Sequence, residues 1–480
     1  MTEKYDVVII GAGIGGLVCG CYLAKAGLKV LIVEQHDKPG GCCTSFERKG
    51  FKFDVGVHYM GSLREGGMLF QILKELELLD RIDIITNDPI DRIITPDKNI
   101  FIRKDKNKTK EELIAHFPQE KEHIENFFNF ILQKDFLSIV TRTKKTTFSK
   151  LLDSFFKDCK LKAILSIPLG NLGTSSYYAS ALASIIIYRE FIFDGGYYPK
   201  GGVQTFPNLL ARRFTEYGGN LLLSTEVIKI VTAKKKISGV TLANKKFISA
   251  KFIVSNADAT LTFEKLLDCK SREVKLTRKL RTSPSAFIIY LGLNKELNIQ
   301  PKHYTAWHFS TYDIEKCYNE QTDIINSPNI DYFLCTFSSL VDPTLAPHNK
   351  SVVRILVGAK YANKHIWDSH KENIYKKIMK KVNYVIPNIQ DCIEIKEIAT
   401  PCTINKFTSN RDGALFGWAS TLNQIDRNIF PLYTSIENLY LVGHWVTSGL
   451  GQGGIAPTAL SGRFTARMLI RSTKFDGGLL

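Results

Sequence analysis

The sequence predicts an α/β fold in which a parallel-sheet βαβ unit opens the chain and is interleaved with a second, α+β unit. Three observations carry that expectation. A short apolar run, Val7–Ile10, is followed by Gly11, Gly13 and Gly16 in GxGxxG spacing and then by a helical pattern with Leu17, Leu23 and Ala24. A second apolar run, Lys29–Val33, ends at Glu34, 18 residues after Gly16. A third, Leu439–Val442, leads into a glycine-rich segment and a final helix. Continuous apolar runs of this length suit strands buried on both faces of a parallel sheet.

Each element of the first unit has a physical task. Gly11 permits a tight turn, Gly13 lets backbone approach a pyrophosphate, and Gly16 lets the helix pack on the strand. The helix N-terminus offers unpaired N–H groups and partial positive charge to that anion. Glu34 stands where a carboxylate accepts hydrogen bonds from an adenosine ribose. The spacing therefore predicts dinucleotide binding; the plainer alternative is a glycine-rich turn in another α/β fold.

The composition narrows the class. The chain has 480 residues, 44% hydrophobic and 23% charged, which is ordinary for folded soluble protein with room for two or three domains. Lys and Arg number 64 against 47 Asp and Glu, a formal charge of +17 that favours an anionic partner such as an acidic lipid surface or substrate. Lysine runs within Ala233–Ile237 and Lys376–Lys381 read as solvated faces, and no nucleic-acid motif accompanies them, so nucleic acid is not expected. Ten cysteines include no CxxC pair, and Met1–Lys4 passes directly into a strand without room for a signal peptide. The expectation is a cytoplasmic protein with reduced thiols. His303, His308, His365 and His370 show no ligand spacing, so no metal is expected.

The stretch PGGCCTSFERKGFKFDVGVHYMG, Pro39–Gly61, separates the dinucleotides. Its pair Gly40-Gly41, behind the acid-bearing strand, resembles the second glycine motif of flavoproteins with the glutathione-reductase-type FAD fold. The whole stretch resembles the phytoene desaturase, carotenoid isomerase and retinol saturase superfamily. Retinol saturase is the nearest likeness, with paired cysteines after GG and His-Tyr after the FDxG element. Gly196–Val231 is similar to the family's middle flavin segment, where a strand bearing a Val-type residue, here Val227, passes the adenine. Phe252–Asp258, Asn410–Gln424 and Asn438–Ile470 resemble its returning and closing segments. The resemblance implies FAD, with Gly443, His444, Gly453, Gly454 and Ile455 in the closing contact and the last helix aimed at the flavin pyrimidine edge. His444 stands where relatives commonly carry Asp or Glu, and Cys42 where many carry Arg or Ser. No second strand–GxGxxG–helix unit occurs, so a built-in NAD(P)H domain is not expected.

The interleaving implies a discontinuous FAD domain from residues 1–85, 195–275 and 421–480, and a substrate domain from 86–194 and 276–420. A helix is expected over Gly66–Leu79, and strands over Ser285–Leu293 and Ser351–Ala359. Ile124–Phe156 mixes phenylalanine and lysine at helical spacing and reads either as a helix that dips into lipid or as core helices. Ala163–Tyr188 has 26 residues without charge, but Pro168, Gly170 and Gly173 oppose a membrane span, and the wall of an apolar cavity suits it better.

The resemblance, together with the apolar stretches, implies an FAD-dependent oxidoreductase, a desaturase, saturase or isomerase, acting on double bonds of a long apolar polyene or isoprenoid such as a carotenoid or retinoid. His58 and Tyr59 are the candidate proton-handling catalytic residues; Cys42 and Cys43 read as packing, and Asp54 as a support for local backbone. An amine or amino-acid oxidase and a non-enzymatic prenyl-binding escort are the alternatives. Peripheral association with a membrane surface is expected from the substrate class and the charge, and the oligomeric state is left open.

Overall fold

The computed structural model describes residues 4–321, 323–327, 329–425, 430–446 and 453–476. The first sheet has strand Lys4–Ile10 at its centre, paired in parallel with Val30–Val33 on one side and Phe247–Ser255 on the other. Asn220–Leu222 extends the Val30–Val33 side in parallel, and Leu439–Leu441 pairs in parallel with Phe247–Ser255. An antiparallel pair, Val227–Ala233 and Lys236–Leu242, completes it. Strands of one sheet thus come from the beginning, middle and end of the chain.

The first helix, Ile14–Lys25, is buried along nearly its whole length because it lies between this sheet and the closing helix, Ile455–Asp476. The second sheet runs in the order Ile393–Ala399, Ser285–Leu293, Ser351–Ala359, Tyr332–Thr336, Thr305–Phe309, Asp91–Ile94, Asn99–Ile102. Its neighbours are antiparallel except Thr305–Phe309 and Asp91–Ile94. Helix Lys364–Val385 packs Trp367, Ile378 and Val382 into one core of this sheet, with Phe287, Ile289 and Val353. A second core joins Trp307 and Leu334 to the helices between residues 121 and 187.

One sequence expectation needs correction in detail, and two are sharpened. The helix expected over Gly66–Leu79 spans Met68–Glu75 and is followed by a 3₁₀ turn at Leu79–Arg81. The Phe/Lys stretch forms three helices, Lys121–Leu132, Phe136–Thr143 and Phe148–Phe155. The side chains of Asp135 and Thr147 accept from the amides of Ser138 and Lys150, and these two N-caps start new helices inside the stretch. The uncharged stretch breaks where Pro168, Gly170 and Gly173 led one to expect, at a 3₁₀ segment, Ile167–Leu172, and at Gly173 with φ +64°. Among the described residues no helix is long and apolar enough to cross a membrane.

Candidate active site

One cavity of about 1010 Å³ reaches from the N-terminal glycine loop to the second sheet. At its first end, Gly11 adopts φ +93° and turns the chain from strand into helix. The N-cap of that helix, Gly13, offers no side chain to the amides of the first turn, which leaves them for an anion. Gly16 meets the close-packing requirement directly: a Cβ there would lie 2.3 Å from the Gly11 carbonyl oxygen. Glu34 follows strand Val30–Val33 and lines the cavity. Its Oε2 accepts from the amide of Ala12 at 2.7 Å and its Oε1 from that of His36 at 3.0 Å, so the acid also ties the glycine loop to its own strand.

The other sequence-selected residues gather at the same cavity. Gly40 donates its amide to the Ala12 carbonyl at 2.8 Å, which lays the second glycine pair against the first loop, with Gly41 close to Gly13. The Thr225 amide bonds the Glu34 carbonyl at 2.9 Å and brings Val227 to the same end. Gly443 donates to Ser461 Oγ at 2.9 Å, and His444 beside it lines the cavity. Burial pushes the His444 imidazole down to about 4, so it is neutral at physiological pH. Gly453, Gly454 and Ile455 line the wall at the start of the closing helix. Residues 447–452 of the closing glycine segment lie outside the described residues.

His58 and Tyr59 are adjacent in the wall but differently used. His58 Nε2 faces Asn171 Oδ1 at 3.1 Å, while Asn171 Nδ2 donates to the Pro168 carbonyl at 3.1 Å. A carbonyl can only accept, so the Asn171 amide is oriented and His58 carries its proton on Nε2. Its Nδ1 is buried without a partner among the described residues. Burial first, and the Arg354 charge second, hold this imidazole down to about 3. Tyr59 instead donates its hydroxyl to Asp91 at 2.9 Å and stacks on Phe191 with centroids 4.6 Å apart. Burial raises the Asp91 carboxyl to about 7 against the bonds from Tyr59 and Trp307.

Asp54 supports backbone. It accepts from the amide of Val203 at 3.1 Å and from the Tyr198 hydroxyl. Arg354, buried beneath it, donates to the carbonyls of Asp54 and Val57 at 3.2 and 3.1 Å and so fixes the approach to His58. Cys42 and Cys43 are free thiols. Burial pushes the Cys42 thiol up to about 11 and raises the Cys43 thiol further, so neither is a thiolate near neutral pH. Among the described residues no group of His, Cys, Asp and Glu could hold a metal.

Sequence reasoning missed Asn171, Arg354 and Asn256. Asn256 follows strand Phe247–Ser255 and fills the space between four glycines: Cβ atoms on Gly13, Gly15 and Gly443 would come within 2.6, 2.8 and 2.7 Å of its amide, and one on Gly11 within 3.6 Å. Gly11, Gly13 and Gly443 already had other uses in the sequence reading, and only the fold brings them to one side chain.

Residues 14–470 match the family described as flavin containing amine oxidoreductase, and the chain belongs to it. The protein is an FAD-dependent oxidoreductase. Its curated relatives include prolycopene isomerase 2, chloroplastic, of an Oncidium hybrid cultivar, 28% identical over 99% of this chain and 85% of that protein. They also include the all-trans-retinol 13,14-reductase of Danio rerio, 27% identical over 92% and 83%. The 4,4'-diapophytoene desaturase of a Methylomonas species is 24% identical over 98% and 96%. Among solved structures, an oxidoreductase from Methanosarcina mazei shares the fold with a TM-score of 0.69 at 19% identity, over 97% of this chain and 100% of that one. Cyclohexylamine oxidase from Brevibacterium oxydans does so at 0.66 and 12%, over 98% and 99%.

The residues present fit FAD. The side-chain-free backbone of Gly11 and Gly13, an uncapped helix N-terminus and a carboxylate at the adjacent strand end line one continuous wall. The fold and the cofactor expected from the Pro39–Gly61 resemblance therefore stand.

Proposed function

We propose that this flavoenzyme acts on a double bond of a long, apolar polyene or isoprenoid, as a desaturase, saturase or isomerase. The observation that carries the reading is the continuity of the cavity. It leaves the glycine cradle past His58 and runs between Ala183, Ile186, Phe191, Trp307, Leu334 and Leu356. Such a wall has little to offer a cationic amine. Of the carboxylates that line the cavity, Glu190 is held by Ser62 at 2.8 Å and by Arg64 at 2.8 Å, and Glu34 by the amides of Ala12 and His36. Relatives named for carotenoid and retinoid chemistry support the same class.

FAD, when bound, supplies the hydride chemistry. The chain's part is to hold the apolar substrate along the wall, exclude water and manage a proton. His58 offers a neutral imidazole in the wall, and we assign it that role. Tyr59 acts behind it, since its hydroxyl is committed to Asp91. Glu34 and Val227 hold the adenosine end, Gly11, Gly13 and Gly16 with Gly40 and Gly41 the pyrophosphate, and Gly443–His444 with Gly453–Ile455 the closing contact. The FAD-binding part comprises 1–85, 195–275 and 421–480, and the substrate-binding part the remainder. Anaerobic incubation of the FAD-loaded protein, oxidised in one series and chemically reduced in another, with a panel of polyenes and a panel of amines, followed by mass analysis, tests the reading. A hydrogen pair gained or lost, or an isomer formed, on a polyene is expected; turnover of amines alone would reject it.

The protein also docks on membrane surfaces by the face around helix Phe136–Thr143. Leu137 is 74% and Tyr177 61% exposed, with Phe136 and Tyr178 beside them in sequence. The Phe148 amide bonds the Ala179 carbonyl at 3.0 Å, so the chain leaving this helix runs beside the two tyrosines, and Tyr178 also lines the cavity. Lys134 and Arg142 flank the apolar side chains. Each cation near an anionic leaflet contributes about 1 kcal/mol. Flotation with anionic vesicles at low salt is expected, reduced by Leu137→Glu; equal recovery with neutral and anionic vesicles would contradict it.

A further inference from the structure

The pocket end of strand Phe247–Ser255 presents one polar side chain that neither the fold nor the site residues already described account for. Asn256 is anchored through its backbone: its amide donates to the Ile10 carbonyl at 2.9 Å, at the point where Ile10 and Ser255 pair in register. Its side chain lies in the cavity wall, half-buried, and its amide has no hydrogen-bond partner among the described residues. An amide carries two donors and an acceptor, and here they face the cavity, free to pair with what it holds.

The surroundings show what would pair them. Nδ2 is the atom that a Cβ on Gly13 would meet at 2.6 Å, whereas Oδ1 is the atom that Cβ atoms on Gly15 and Gly443 would meet at 2.8 and 2.7 Å. The donor end of the amide thus sits beside the N-cap of the first helix, where the uncapped backbone N–H groups collect negative charge. The acceptor end is turned toward the closing loop. Four glycines from two distant segments give up their side chains around one asparagine, so the space is kept for this group and whatever it binds.

We propose that Asn256 is a binding residue for the cofactor's diphosphate, donating through Nδ2 to a phosphate oxygen alongside the helix N-terminus. This rests on the FAD reading of the cavity. It makes the third segment of the sheet a direct contributor to cofactor recognition, in addition to the glycine loop and Glu34. Charge, more than shape, is what the contact selects: a neutral donor facing a dianionic group is favourable, while an acceptor-only carboxylate of the same size is repelled.

That distinction sets the experiment. FAD dissociation constants are measured by flavin fluorescence for the wild type, Asn256→Ala and Asn256→Asp, with circular dichroism to verify folding and riboflavin as a ligand lacking the diphosphate. Loss of one hydrogen bond to a charged group weakens binding by roughly 10- to 100-fold, so Asn256→Ala is expected in that range. Asn256→Asp, although nearly isosteric, is expected to be the weaker of the two, and the difference between the variants should vanish for riboflavin. If Asn256→Asp binds FAD like the wild type while Asn256→Ala is impaired, the side chain only fills space and the proposal fails. Unchanged affinity in both variants overturns it equally. A folded wild type that binds no FAD would instead overturn the cofactor reading, and this proposal with it.

Discussion

Gly15 and Gly462 face each other across the first and closing helices, so closely that a Cβ on Gly462 would lie 2.3 Å from the Gly15 carbonyl oxygen and 2.9 Å from the Cys19 amide. The end of the chain is thereby pressed onto the helix whose N-terminus shapes the cavity. Overpacking a fitted interface costs about 1–3 kcal/mol. Gly462→Val is expected to lower the melting temperature by several degrees and, because the Gly13–Gly16 turn moves with its helix, to reduce retained flavin. Thermal melts and flavin absorbance per protein check this; a variant with wild-type values for both would show that the two helices have slack.

Asp91 couples the Tyr59 side of the cavity to pH. Its carboxyl is raised from 3.8 to about 7, mainly by burial. Between those values the folded protein holds a proton that the unfolded chain releases. The stabilisation is therefore complete below the unfolded pKa and is lost as pH rises through the folded one. Asp91→Asn removes that contribution, so the variant's melting temperature is expected to rise more steeply with pH across that window than the wild type's. His58 and His444 have the opposite sign, since their depressed values remove stability as pH falls below 6.5 toward 3 and 4. The acid side of the profile should survive the Asp91→Asn change. Identical profiles for the wild type and Asp91→Asn would contradict the Asp91 assignment, and a variant profile flat from acid to neutral pH would contradict that of the two histidines.

The His58 and cysteine roles separate by rate at matched flavin occupancy. A proton-transfer group typically supplies about 10²–10⁴-fold, so His58→Ala should keep FAD and lose turnover by that order. Cys42→Ser and Cys43→Ser should cost far less, because both thiols are protonated, Cys42 accepts from Asn410 Nδ2 at 3.9 Å and Cys43 donates to the Val203 carbonyl at 3.7 Å. Dead serine variants with an active His58→Ala would reverse the roles.

Local pattern carried the parts of the fold that local physics determines. The βαβ unit was legible because apolar runs, glycine spacing and Glu34 all lie within the first 34 residues. Ser285–Leu293 and Ser351–Ala359 were legible as strands because buried central strands are apolar without interruption, and their bounds agree with the structure. The breaks in the Phe/Lys stretch were available too: Asp135 and Thr147 are ordinary N-cap residues, but the helical periodicity on either side outweighed them. What the sequence could not reveal were pairings across long separations. Asn171 lies 113 residues from the histidine it orients. Arg354 reaches the Asp54 carbonyl across 300. Asn256 acquires meaning only when residues 11–15 and Gly443 close around it.

The central claim is that a flavin site and a long apolar channel form one reacting cavity, and the flavin spectrum reads it directly. The FAD-loaded protein, oxidised for one series and chemically reduced for another, is mixed anaerobically with a long polyene or with a primary amine while visible absorbance is followed. The account predicts that the polyene perturbs the flavin bands in at least one redox state at stoichiometric concentration, that the amine leaves both spectra unchanged, and that Leu334→Trp, which narrows the apolar wall, weakens the polyene response without releasing FAD. Bleaching of the oxidised flavin by the amine, with no response to polyenes in either state, would contradict it.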